Sequence, residues 1–128
     1  MEMVEFILYV AQQEVAKKFY AEILQKSPVT DVKGMTEFVL NDNCKLGLMP
    51  QDNIAKILQP ILQHPNEAKG APRCELYIYV DSPQDYLERA FNAGAVLISP
   101  NRRRDWGDEV GYCADLDGHV IAFAKKGN

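Results

Sequence analysis

Two glutamates occupy matching positions in two similar segments of the chain, and their carboxylates could bind a cation or a metal ion. Glu5 is the second residue of VEFILYV (residues 4–10), and Glu75 is the second residue of CELYIYV (residues 74–80). The same offset of 70 residues superposes the tyrosine and the valine that end both segments. The chain therefore contains two related strands, each with an acidic residue at the same register.

Aromatic residues share a predicted strand face with these glutamates. Strict alternation places the remaining apolar residues of each segment on the opposite face. The mixed face comprises Glu5, Ile7, Tyr9, Glu75, Tyr77 and Tyr79. Aromatic rings beside carboxylates attract cations and planar molecules, so we predict that this face lines a small-molecule pocket. The structural alternative is a set of tyrosines that pack across a sheet with their hydroxyls at its rim.

The only tryptophan, Trp106, lies between the predicted basic loop NRRR (residues 101–104) and Gly107. Loops on a rigid scaffold commonly carry binding residues, so we predict that Trp106 contacts a ligand. The alternative is that it covers the core. Arg102, Arg103 and Arg104 could bind an anionic group of a ligand, or could form a solvated turn or a subunit contact.

The two segments each begin a module with the element order βαβββ. For the first module we predict strands at residues 4–10, 29–32, 36–41 and 44–49, and a helix at about 13–25. For the second we predict strands at 74–80, 95–98, 109–114 and 119–125, and a helix between an N-cap at Ser82 and Gly94. We predict one domain over residues 1–128, with modules at about 1–50 and 71–128 and a helical linker at about 51–70.

Length and composition are typical of one soluble domain. The chain has 128 residues and a formal net charge of −4, which argues against a nucleic-acid surface. Its three cysteines lie within predicted strands without CxxC spacing, which indicates reduced core thiols. The sequence shows neither a signal peptide nor an apolar run of the ~20 residues that a membrane helix needs. We therefore expect a cytoplasmic protein without membrane contact.

The sequence resembles the vicinal oxygen chelate superfamily, which includes glyoxalase I, extradiol dioxygenases, and the bleomycin and fosfomycin resistance proteins. The resemblance rests on the paired modules, the FY pair at residues 19–20, and WGDEVGYCADLDGHVIAF at residues 106–123, where Leu116 stands in place of the usual proline. It implies an α+β fold in which two pseudo-symmetric βαβββ modules form a half-barrel cleft, as in glyoxalase and bleomycin resistance proteins. It also implies a homodimer, since partners usually complete such open-edged half-barrels.

Metal-using members of this superfamily bind a divalent ion through two side chains from each module. The corresponding positions here are Glu5, Gly47, Glu75 and Ala122. Two of the four lack a donor side chain, and none is the imidazole typical of zinc and iron sites. We therefore expect no tight metal, although Glu5 and Glu75 are weak candidates for binding a divalent cation such as Mg²⁺ or Mn²⁺. The structural alternative is a pair of solvated strand glutamates.

Two functions of different classes follow from the resemblance and the residues. The favoured one is a small-molecule-binding protein of the glyoxalase/bleomycin-resistance type, which sequesters a cationic or aromatic drug or metabolite without a tight metal. The alternative is a divalent-metal-dependent, glyoxalase-like lyase or a dioxygenase that uses Glu5 and Glu75. No catalytic residue is assigned. The predicted ligand-binding residues are Glu5, Tyr9, Glu75, Tyr77, Tyr79 and Trp106.

Overall fold

The structure is a computed structural model that describes residues 1–127. It divides into two compact units, residues 1–69 and residues 70 onward, and each unit is described by itself. Each contains four strands in one sheet, with the element order βαβββ. The predicted fold class, an α+β protein of two βαβββ modules, is confirmed.

The first unit contains the first module and the linker helix. Its elements are β1 (Val4–Val10), α1 (Gln13–Leu24), β2 (Thr30–Val32), β3 (Met35–Asn41), β4 (Cys44–Pro50), α2 (Gln51–Leu58) and a 3₁₀ turn (Pro65–Ala68). The sheet order is β1-β4-β3-β2, with β1 parallel to β4 and the other pairs antiparallel. The buried core combines one stripe of α1 with alternate sheet positions: Leu8, Val10, Ala16, Phe19, Tyr20, Ile23, Leu24, Phe38, Leu46 and Leu48.

The second unit repeats this architecture. Its elements are β5 (Glu75–Tyr79), α3 (Pro83–Asn92), β6 (Val96–Arg103), β7 (Glu109–Ala114) and β8 (Val120–Lys125). The sheet order is β5-β8-β7-β6, with β5 parallel to β8. Helix α3 covers one face, where the Tyr86 ring packs on Phe123 with centroids 5.2 Å apart. Tyr77 and Tyr79 project from the opposite face because they alternate with Leu76 and Ile78 along β5.

Strand register reproduces the internal repeat of the sequence. In the first module Ile7 pairs with Gly47 across β1 and β4. In the second module Tyr77 pairs with Ala122 across β5 and β8. Each module therefore pairs equivalent residues across its own parallel strand pair.

Two local predictions were wrong, those for residues 101–103 and for Cys74. Residues 101–103 belong to β6, not to a loop, since register shifts between Leu97 and Arg102 let the strand continue past Pro100, which has no N–H to donate. Ser82 is the N-cap residue of α3 as predicted, although its side chain makes no capping hydrogen bond. Cys74 precedes β5 and is exposed, although all three cysteines are free as predicted.

The linker helix ends at Leu58, before Pro60, as the sequence indicates. Its predicted apolar stripe is only partly buried, because Ile57 and Ile61 are 76% and 88% exposed. No helix within residues 1–127 is both long and apolar enough to cross a membrane.

Candidate functional site

Three aromatic side chains of the second module meet around one carboxylate. The Tyr77 and Tyr79 hydroxyls both donate to Asp108 Oδ2, at 2.7 and 2.9 Å. Trp106 Nε1–H donates to the Tyr77 hydroxyl oxygen at 2.9 Å. Asp108 Oδ1 accepts from the Gly127 N–H at 3.2 Å. We call Tyr77, Tyr79, Trp106 and Asp108 the aromatic cluster, and it unites three of the predicted ligand-binding residues.

Local backbone geometry positions the members of this cluster. Tyr77 and Tyr79 stand two residues apart on one face of β5, and their rings meet edge to face with centroids 5.3 Å apart. Trp106 and Asp108 lie in the turn between β6 and β7, which the Arg104 N–H closes by donating to the Asp108 carbonyl at 2.8 Å. Gly107 adopts φ +101°, a conformation that favours glycine at this turn.

Hydrogen bonding keeps the Asp108 carboxylate charged, and burial together with hydrogen bonding keeps the tyrosine hydroxyls neutral. The Tyr77 hydrogen bond, supported by those from Tyr79 and Gly127, lowers the pKa of Asp108 below its usual range. Burial raises the pKa of Tyr77 to about 12, and its hydrogen bond to Asp108 acts in the same direction. The bond to Asp108 also raises the pKa of Tyr79. At neutral pH the cluster therefore carries one negative charge, with both hydroxyls as donors.

The aromatic cluster rests on buried apolar residues and is exposed to solvent on its outer side. Val110, Ala122 and Ala124 are fully buried, with Tyr77 and Tyr112 packed against them. The side chains of Tyr79 and Trp106, in contrast, are 56% and 58% exposed. The cluster therefore presents aromatic surface to solvent on a close-packed base.

Glu75 stands at the start of β5 and is exposed. It takes no part in the hydrogen bonds around Asp108. Burial raises the pKa of Tyr112, and the negative charge of the Glu75 carboxylate raises it further. Glu75 therefore adds negative charge to this face of the sheet.

The three arginines have different environments. Arg104 donates to the carbonyls of Val110 and Pro100 and to the Ser99 hydroxyl, at 2.7 to 3.0 Å, and its guanidinium lies over the Tyr112 ring. It therefore fastens β6 to β7. Arg102 and Arg103 are exposed. With Trp106 and Tyr112 they line an open groove of about 610 Å³.

The first module contains a pair of carboxyls. The Glu5 Oε2 atom is buried and receives no hydrogen bond from the described residues. It lies over Gly47, 2.5 Å from the position that a Cβ atom there would take. The Glu5 carboxyl hydrogen-bonds with that of Glu37, which requires a shared proton because two ionised carboxylates are both acceptors. We call Glu5 and Glu37 the carboxyl pair.

The two members of the carboxyl pair titrate differently. Burial raises the pKa of Glu5 to about 7, and the hydrogen bond and charge of Glu37 act in the same direction. The hydrogen bond with Glu5, together with one from Thr30, lowers the pKa of Glu37. Lys45 Nζ lies 3.9 Å from Glu37 Oε1 and partly offsets the negative charge. Near neutral pH the pair is therefore poised between one and two negative charges.

The other predicted residues of the first module lie on the same face as Glu5. Ile7 is 40% exposed, and Tyr9 is half-buried opposite Met49. Neither belongs to the carboxyl pair.

The superfamily's metal positions fit a metal ion poorly within either module. In the first module, Gly47 has no donor side chain, and the Glu5 carboxyl fills the space that a side chain at position 47 would occupy. In the second module Ala122 is fully buried in a cluster that includes Tyr77 and Tyr112. At these positions each module supplies one donor, and no group of three or more potential metal ligands occurs within residues 1–127.

Sequence reasoning missed two central residues, Asp108 and Glu37, although a signal existed for both. Residues 108, 110 and 112 alternate with residues 109 and 111 along one segment, so Asp108 shares a face with Val110 and Tyr112. Tyr77 lies on this same face of the sheet. Glu37 alternates with the buried Phe38 and so shares the face of Glu5.

Comparisons with known proteins identify the family. The sequence profile of the glyoxalase-like domain matches residues 3–126. No curated protein matches the chain significantly.

Several solved structures share the fold at low sequence identity. A glyoxalase-related enzyme from Fulvimarina pelagi has a TM-score of 0.82 and 22% identity, over 98% of this chain and 89% of that chain. A glyoxalase/bleomycin resistance protein/dioxygenase from Nocardioides has a TM-score of 0.75 and 16% identity, over 97% and 82%. A superfamily member from Sphaerobacter thermophilus has a TM-score of 0.74 and 14% identity, over 98% of both chains. The chain therefore belongs to the glyoxalase-like domain family, within the vicinal oxygen chelate superfamily that its repeated modules and closing segment predicted.

Proposed function

We propose that the protein binds a small aromatic molecule with a positive charge, such as an aromatic amine, at the aromatic cluster. One observation carries this proposal. The Trp106 and Tyr79 side chains are more than half exposed, yet both are held by hydrogen bonds in the Asp108 network. Aromatic surface that is already fixed loses little conformational freedom when a ligand stacks on it.

The charges around the cluster support a preference for cations. Ring faces attract cations by about 0.5–1 kcal/mol at exposed sites, and the ionised Asp108 adds to that attraction. The exposed Arg102 and Arg103 favour an anion. Exposed ion pairs, however, contribute only about 0–1 kcal/mol and are screened by salt. We therefore expect cationic ligands to bind more tightly than anionic ones of equal size.

The same groups support binding without chemical change. With a pKa of about 12, Tyr77 is a poor proton donor and is not a base near neutral pH. Asp108 already accepts hydrogen bonds from Tyr77, Tyr79 and Gly127, which weakens it as a base. Sequestration of the ligand is therefore our proposal for its role.

The metal-dependent lyase or dioxygenase is less well supported, because neither module pairs two donors at the superfamily's metal positions. We propose that ligand binding needs no tightly held metal. Metal analysis of the purified protein tests this point, since metal bound stoichiometrically and lost from a Glu5→Ala, Glu75→Ala double variant would overturn it.

Thermal-shift measurements with matched compounds test the proposed ligand class. We expect 2-phenylethylammonium to raise the melting temperature more than 3-phenylpropanoate at equal concentration. A ligand at ten times its Kd stabilises the folded state by about 1.4 kcal/mol, which is a shift of several degrees.

Two substitutions of equally exposed aromatic residues locate the effect. Trp106→Leu should abolish the shift in melting temperature, because Trp106 belongs to the aromatic cluster. Phe91→Leu on α3 should preserve the shift, and it is a matched control because both side chains are 58% exposed. Stabilisation by the anion alone, or an unchanged shift in Trp106→Leu, would refute the proposal.

A further inference from the structure

A second groove lies on the other face of the second module, between α3 and the edge strand β6. Its volume is about 510 Å³, which is within the range of small-molecule pockets. Leu87 of α3, which lines it, lies against Gly111 of β7. Gly111 alternates with Val110 and Tyr112, which face the aromatic cluster. The groove and the cluster are therefore on opposite faces of one sheet.

A glycine lets the two walls of this groove meet at its floor. A Cβ atom at Gly111 would overlap the Leu87 Cδ1 atom and lie 3.2 Å from the backbone N of Asn101. Because position 111 has no side chain, helix α3 and strand β6 both approach β7 closely. The register shifts of β6 lie between Leu97 and Arg102, so the second of them contains Asn101. Such irregularities re-aim the side chains of a strand.

The groove is lined by exposed apolar side chains and by one buried hydrogen-bond acceptor that has no donor among the described residues. Phe91, Leu97 and Ile98 form apolar walls and are 58%, 52% and 54% exposed. Asn101 also lines the groove, and its Oδ1 atom is buried without a hydrogen-bond donor among the described residues. A buried acceptor left unpaired costs about 1–3 kcal/mol. A molecule with an apolar body and one N–H or O–H group would relieve both penalties.

We propose that this groove is a second binding site, for a small neutral apolar molecule whose single N–H or O–H group donates to Asn101 Oδ1. Charge supports a neutral ligand over an anionic one, because Glu88 also lines the groove. Its Oε1 atom accepts from Gln84 Nε2 at 3.2 Å, whereas the buried Asn101 Oδ1 atom has no donor among the described residues.

Indole and 1-methylindole test this proposal, because they differ at the donor nitrogen. In two-dimensional ¹H–¹⁵N NMR spectra, we expect indole to shift the backbone amides of residues 84–101. We expect 1-methylindole to bind there at least about fivefold more weakly, the effect of one hydrogen bond of about 1 kcal/mol.

Variants separate the acceptor from the apolar walls. Asn101→Leu should equalise the two affinities, and Asn101→Asp, which keeps an acceptor oxygen, should preserve the difference. Phe91→Ala should weaken the binding of both compounds, because the Phe91 ring forms an apolar wall of the groove.

Four results would overturn the proposal. The first is equal affinity of the two compounds for the wild-type protein, and the second is no binding of either at millimolar concentration. The third is indole-induced shifts confined to the aromatic cluster. The fourth is a groove covered by a second copy of the chain. Such a dimer would shift the amides of residues 84–101 with protein concentration in the absence of ligand, and the effect would disappear in Phe91→Glu.

Discussion

The Glu5 carboxyl occupies the space above Gly47, with Oε2 2.5 Å from the position that a Cβ atom at residue 47 would take. Metal-using relatives place a donor side chain at each of these two positions. Because Gly47 has no side chain, there is room above it for the Glu5 carboxyl, and this carboxyl pairs with that of Glu37. The first module therefore holds a proton-sharing carboxyl pair where the superfamily holds half of a metal site.

Substitution of Gly47 by alanine tests this arrangement. The new Cβ atom should displace the Glu5 carboxyl from Glu37, because the nearest atom to it belongs to the end of a flexible side chain. We expect the pKa of Glu5 to fall from about 7 towards its ordinary value of 4.5, with a stability loss below about 2 kcal/mol. NMR titration of the glutamate side chains measures the pKa, and an unchanged value in the variant would contradict the account.

Stability should depend on pH through Glu5. Its pKa is about 7 in the folded protein and about 4.5 when unfolded, so the folded state binds the proton more tightly. The resulting stabilisation is complete below pH 4.5, declines as pH rises, and is lost above pH 7. The pKa of Glu37 is lowered, so that carboxyl stays ionised through this range.

Glu5→Gln should therefore gain stability relative to the wild type between about pH 5 and pH 8. Urea unfolding at several pH values measures the difference. Glu75→Gln is the matched control, because Glu75 holds the equivalent strand position and is exposed. An equal response of both variants would show that the carboxyl pair is not the cause.

The two tyrosines of the aromatic cluster should differ in their contribution to stability. Tyr77→Phe removes a hydroxyl that donates to Asp108 and accepts from Trp106, so we expect a loss of about 1–3 kcal/mol. Tyr79→Phe leaves Asp108 Oδ2 with its Tyr77 donor, and the ring is half exposed, so the loss should be below about 1 kcal/mol. Urea unfolding of both variants decides, and equal losses would contradict the hydrogen-bond network.

We predict a homodimer, with about twice the 14.4 kDa mass of one chain. Ile57 and Ile61 are 76% and 88% exposed, and apolar side chains grouped at a surface commonly mark an interface. Light scattering at micromolar concentration should show the dimer, and an Ile57→Glu, Ile61→Glu variant should be monomeric. A monomer in the wild type would contradict the prediction.

The sequence predicted the fold more fully than the site, for a physical reason. Apolar alternation determines which face of a strand is buried, and the structure repeats equivalent strand pairs in the two modules, Ile7 with Gly47 and Tyr77 with Ala122. Asp108 lies in a turn and joins tyrosines from β5, 29 and 31 residues away. Such a hydrogen bond depends both on the conformation of the turn and on the register of the strands. Apolar alternation along one segment specifies neither.

A fluorescence titration of Trp106 tests the central claim most directly, because it is the only tryptophan and lies at the proposed binding surface. We predict a saturable change with 2-phenylethylammonium, and binding at least about fivefold weaker, or about 1 kcal/mol, for 2-phenylethanol and 3-phenylpropanoate. An absent response to the cation, or tightest binding of 3-phenylpropanoate, would contradict the claim.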